Sequence, residues 1–86
     1  TPVPEVQSLG EGRWAVLGSA DLRDLAEALG TALPEGDWTT AAGLVIGAAG
    51  RIPAEGDVVE IGDHRFTVTS ATRRRVRRLE VAGPEG

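Results

Sequence analysis

Two short runs near the start of the chain carry its first apolar groups, Val6 and Leu9 in one and Trp14 to Leu17 in the other. Glu5 to Leu9 and Arg13 to Leu17 each read as a strand, and Gly10-Glu11-Gly12 between them reads as a turn, so the pair predicts a hairpin. The period then changes. Leu22, Leu25, Ala26 and Leu29 recur at i, i+3, i+4 and i+7, the spacing of one helical face, with Arg23, Asp24 and Glu27 on the other side. Asp21 stands before this run as an N-cap, because its carboxylate can accept from an amide that the first turn leaves unsatisfied. Gly30 follows it, where a left-handed C′ residue is favoured.

Thr31 to Asp37 is a loop carrying Pro34 and Gly36. A second helix is predicted from Thr39 or Thr40, whose hydroxyls can cap it, to Ala49; Gly50 ends it and Pro53 prevents its resumption. This helix has no charged residue, and Gly43 and Gly47 inside it each cost about 1 kcal/mol relative to Ala. Ala54-Glu55-Gly56 is a turn, Asp57 to Ile61 a strand, and Gly62-Asp63 a two-residue connection with Gly first, as a type II′ turn requires. In the paired strand, Arg65 to Ser70, Phe66 and Val68 alternate with Thr67 and Thr69 and face the core. The last strand runs from about Arg74 to Val81. Val76 is out of phase with Leu79 and Val81, which predicts a bulge near Arg77-Arg78.

The resulting order, ββααβββ, is that of an α+β domain with two helices on one face of a mostly antiparallel sheet. At 86 residues the chain is one domain by length, divided into a linker (1–4), a domain (5–82) and a flexible tail (83–86). It begins without Met, and both ends read as cut edges of a larger protein. Trp14, Trp38 and Phe66 are its only aromatics, so Leu, Val, Ile and Ala must build the core. Cysteine is absent, which excludes disulfides and thiolate metal sites. A net charge of −4 argues against a general nucleic-acid binder. The first residues lack the charged-then-apolar pattern of a signal peptide, so none is expected. The longest uncharged apolar stretch, Trp38 to Gly50, falls well short of the ~20 residues of a membrane span, so no direct membrane insertion is expected.

One ordered set of short motifs runs through most of the chain: Leu29-Gly30, Leu33-Pro34, Thr40 to Leu44, Gly50-Arg51-Ile52-Pro53, Gly56-Asp57, Gly62 and Phe66-Thr67-Val68. In this order and spacing it resembles the transporter-associated domain of the CorC/HlyC family. The chain departs from that family at Glu11-Gly12-Arg13, where D-G-S is common. It departs again at Ile46 to Ala49, where acidic residues are common. The resemblance implies the C-terminal part of a bacterial membrane protein linked to magnesium or cobalt efflux. Such a parent often carries a CBS-domain pair and a transmembrane domain, and would hold this domain at its cytoplasmic face. The implied role is to modulate transport. The fold is similar to part of a flavin-binding oxidase domain, so FAD or an adenine nucleotide enters as a ligand by that similarity, although no cofactor is expected.

Candidate chemistry is sparse. His64, the only histidine, stands beside a tight turn and reads as an exposed turn residue, with no second His or Cys to make a metal site. Asp57, Glu60 and Asp63 could cluster near the hairpin as oxygen ligands, but solvated strand carboxylates are the plainer reading. The serines and threonines lack a base, and no dinucleotide fingerprint is present, so no catalytic residue and no enzyme activity are expected. Arg73, Arg74, Arg75, Arg77 and Arg78 are the strongest charge feature. The first four are ligand-binding candidates for a phosphate or nucleotide. They could also meet an acidic partner, blunt an edge strand, or pair with the surplus carboxylates. The uncharged helix has two readings. It is buried on most sides, its glycines admitting the sheet, or it docks through Val45, Ile46 and Ala49 on a parent domain or in a homodimer.

Overall fold

The computed structural model describes residues 4–34 and 36–83. The predicted linker and tail, apart from Pro4 and Gly83, lie outside the described residues. The elements are β1 (Val6–Gly10), β2 (Arg13–Leu17), α1 (Leu22–Leu29), α2 (Ala41–Ala49), β3 (Val58–Ile61), β4 (His64–Ala71) and β5 (Val76–Ala82). The five strands form one sheet in the order β1-β2-β5-β4-β3, with every pairing antiparallel. The expected α+β architecture is therefore present, with α1 packed over β1 and α2 over β2, β3 and β5.

The arginine-rich strand is not an edge. β5 is the middle strand, between β2 and β4, and the edges are β1 and β3. Its inward residues explain the place: Val76, Leu79 and Val81 are all buried, and a strand so apolar on one side belongs at the centre of the core face. All three face inward because the ladder slips. Between Ser70↔Arg78 and Ala71↔Val76, β5 carries Arg77 as an extra residue, so the bulge falls where the phase break predicts it. A compensating extra residue, Thr69, lies on β4.

Both hairpin turns follow from their glycines. Glu11 and Gly12 have φ of 56° and 74°, the pair of positive angles that a type I′ turn needs. Gly62 has φ of 60° while Asp63 is not in the left-handed region, which fits the predicted type II′ turn. Gly18, after β2, is required for another reason. A Cβ there would collide with the Val76 carbonyl and stand 3.2 Å from the Ala42 Cβ. Its N–H donates to the Arg77 carbonyl at 2.8 Å and its carbonyl accepts from Ala42 at 2.9 Å, so bare backbone joins the β5 bulge to α2.

The helix caps are those the sequence specifies. Asp21 accepts from the Arg23 amide and Thr40 from the Gly43 amide, while Gly30 and Gly50 close the helices in the left-handed region. The two helix starts are tied side by side. Leu22 donates to the Thr39 carbonyl at 3.1 Å and Ala41 to the Ala20 carbonyl at 2.9 Å. Phe66, Leu25, Leu44, Leu79 and Val45 are the largest fully buried side chains. Each stabilises the fold by about 1.5–3 kcal/mol relative to exposure.

Candidate functional site

The arginine segment occupies the turn between β4 and β5. The Thr72 N–H donates to the Arg75 carbonyl at 2.8 Å, and the Thr72 hydroxyl accepts from the Arg74 and Arg75 amides, each at 3.2 Å. Thr72 and the backbone thus supply the turn's bonds, and Arg73, Arg74, Arg75, Arg77 and Arg78 are all exposed. The ion pairs among the described residues are Arg13–Glu80, Arg51–Asp57 and Arg65–Glu60. None of the five arginines takes part in one, so the carboxylates of the described residues do not neutralise them, contrary to one expectation. Charge still concentrates at this end because the sequence places no acid between Ser70 and Leu79.

Among the described residues, the backbone donors nearest this turn are already committed. The nearby start of α2 is the natural anion site of the neighbourhood, but its first amides are engaged. Ala41 donates to Ala20, Ala42 to Gly18 and Gly43 to the Thr40 hydroxyl. Among the described residues no buried side-chain nitrogen or oxygen lacks a hydrogen-bond partner.

The hairpin carboxylates do not converge. Asp57 accepts from the Ala54 amide at 2.9 Å and pairs with Arg51 at 3.2 Å, whereas Glu60 pairs with Arg65 at 3.8 Å. The Ala54 amide, and after it the Arg51 guanidinium, hold the Asp57 carboxyl below the usual carboxylate range against an opposing desolvation effect. Among the described residues no three His, Cys, Asp or Glu side chains gather as a metal site. His64 is only 8% exposed, contrary to the exposed position expected of it, and its ring lies 6.3 Å from that of Trp14. The β4 register explains this, since His64 shares the inward side with Phe66 and Val68.

The α2 face also changes. Val45 is 0% exposed and belongs to the core, so it cannot serve a docking face; Ile46 and Ala49 are half-buried. The space beside the helix glycines is taken by Trp38 and not by the sheet. A Cβ on Gly47 would stand 2.5 Å from Trp38 Cζ3, and one on Gly43 would stand 3.0 Å from the Trp38 Cβ. The Trp38 indole N–H donates to the Pro34 carbonyl at 3.0 Å and so fixes the ring over the helix. Sequence reasoning missed this clamp, although a tryptophan shortly before two helical glycines was its visible signal.

The string Gly50-Arg51-Ile52-Pro53-Ala54-Glu55-Gly56-Asp57 builds a loop. Asp57 binds it from within, and Gly56 and Asp57 tie it to Val68 through backbone bonds of 2.7 and 2.8 Å. Pro53 is buried beneath it. A two-helix, five-strand α+β module defined by such a loop, with its strongest charge on an exposed turn, is the class that these features describe. Residues 7–84 match the family described as the transporter associated domain, CorC/HlyC, and the chain belongs to that family.

The chain is 33% identical to the magnesium and cobalt efflux protein CorC of Vibrio cholerae over 94% of its own length and 28% of that protein's. It is 41% identical to the inner membrane protein YoaE of Escherichia coli, over 85% of this chain and 14% of that one. The chain thus spans less than a third of the curated relatives it matches. A solved CorC-associated region of a putative Mg2+ and Co2+ transporter from Neisseria meningitidis superposes with a TM-score of 0.87 at 29% identity. That superposition covers 93% of this chain and 99% of the other.

Proposed function

We propose that the chain is a non-catalytic accessory domain of a membrane-anchored cation-transport protein of the magnesium/cobalt efflux type. It acts by contact. Its partners are the CBS and transmembrane domains of the same parent at the cytoplasmic face, or a second copy through the outer side of α2 near Ile46 and Ala49. The observation that carries this reading is the string from Gly50 to Asp57, which closes a loop through Arg51, Ala54 and Asp57 instead of assembling reactive groups. The similarity to CorC supplies the transport context. Among the described residues no helix is long and apolar enough to cross a membrane, so the anchor belongs to other parts of such a parent.

The test is a graft. The matching segment of the Vibrio cholerae relative is deleted, or replaced by residues 5–82, and cobalt tolerance of the host cells is measured. Tolerance lost on deletion and restored by the graft supports the reading. Tolerance unaffected by deletion contradicts it.

A nucleotide- or flavin-binding module is the second reading. The guanidinium cluster, without an ion pair among the described residues, favours it, and the engaged amides of α2 weigh against it. Thermal unfolding with FAD, AMP or ATP at millimolar concentration decides: no stabilisation removes it.

A further inference from the structure

Five of the nine arginines lie between positions 73 and 78, and every carboxylate lies outside the segment from Ser70 to Leu79. A chain of net charge −4 therefore carries one concentrated cationic tip. The turn backbone is held by Thr72, so the guanidinium groups are free of that task. Thr72 to Arg75, Arg77 and Arg78 are all exposed. Like charges this close repel one another, and no ion pair among the described residues relieves them.

We propose that this arginine turn docks on the anionic phosphate headgroups of a lipid bilayer. A projecting tip with several cations suits an extended anionic plane; a single enclosed phosphate would need the backbone donors that α2 has already committed. The planar fork of Arg matches phosphate oxygens. Nucleic acid fits less well, because no exposed aromatic is interleaved with the arginines for base stacking. The acidic remainder of the domain, including Glu5, Asp24 and Glu27, is repelled by the same plane. Contact is thereby confined to the tip, and the strand ends point at the membrane. The inference rests on the proposed function only in placing a bilayer nearby.

Vesicle co-sedimentation of the chain itself tests it, so its failure and that of the transport reading are distinguishable. Phosphatidylcholine vesicles are compared with vesicles in which about a third of the lipid is phosphatidylglycerol, at low salt. The chain pellets with the anionic vesicles alone and is released at about 0.5 M salt. Each arginine reaching the surface strengthens binding about fivefold, so Arg73→Gln, Arg74→Gln and Arg75→Gln combined weaken it about a hundredfold. Arg23→Gln, on α1, leaves it unchanged. Coincident unfolding curves verify that the variants are folded. Three results overturn the proposal: no binding to anionic vesicles, undiminished binding by the triple variant, or release by millimolar inorganic phosphate at constant ionic strength, which marks a discrete phosphate site.

Discussion

The Trp38 indole lies over Gly47 of α2 so closely that a methyl group on that glycine would stand 2.5 Å from the ring carbon Cζ3. A pair of glycines four apart usually invites an account in terms of helix crossing. Here it is occupied from within the same chain. Gly47→Ala must displace the ring and strain its bond to the Pro34 carbonyl, an overpacking cost of about 1–3 kcal/mol of which about 1 kcal/mol of helix propensity is recovered. Gly43→Ala meets the Trp38 Cβ at 3.0 Å, a contact that a small shift relieves. The helix propensity it gains, about 1 kcal/mol, leaves it near neutral. Urea unfolding of the two variants, followed by tryptophan emission, checks the ordering.

Gly18 offers a harder test of close packing. A side chain there meets the Val76 carbonyl, which is backbone and cannot rotate away. Gly18→Ala is expected to cost more than Gly47→Ala, about 3 kcal/mol or more, because the β5 bulge and the start of α2 must both move. Chemical denaturation reads this as a lowered midpoint with an unchanged slope.

Asp57 gives a pH dependence of definite sign. Its folded carboxyl is held below the usual range by the Ala54 amide and then by Arg51. The unfolded value is ~3.9. The stabilisation is therefore complete above that value and fades as pH falls through the lower folded value. Asp57→Asn keeps the shape and removes the titration. Thermal unfolding between about pH 6 and about pH 2 should show the wild type losing its advantage over Asp57→Asn only in the acidic part of the range.

The two sides of α2 can be separated by charge. Val45→Glu buries an unpaired carboxylate in the core and is expected to cost about 4 kcal/mol or more, preventing folding. Ala48→Glu, at an exposed position, is expected to change stability by less than ~0.5 kcal/mol. Circular dichroism of both variants checks this. The second variant then reports, by sedimentation, whether the outer side of the helix holds a second copy.

The local signals in the sequence were dependable where one residue type meets one backbone need. Asp21, Gly30, Thr40 and Gly50 cap the helices, Gly62 makes its turn, and the odd phase of Val76 locates a bulge at Arg77. Position within the sheet was less legible. Periodicity tells which way Leu79 and Val81 face, not which strands flank them, so the placement of β5 between β2 and β4 depends on pairings distant in sequence. For the same reason His64 read as a turn residue, although the β4 register carries it inward against Trp14. Val45 looked available because an uncharged helix does not reveal which of its sides meets the sheet. Of the candidate site, the sequence exposed the arginine run; that no carboxylate pairs with it among the described residues could be learned only from the fold.

Hydrogen exchange measured on the chain alone, and again on the same chain grafted to the membrane-anchored portion of its relative, tests most directly that the domain works through its surfaces. The account predicts slowed exchange confined to outward amides, at the turn from Thr72 to Arg75 and along the exposed side of α2, with core protection unchanged. Identical exchange in both contexts would contradict it.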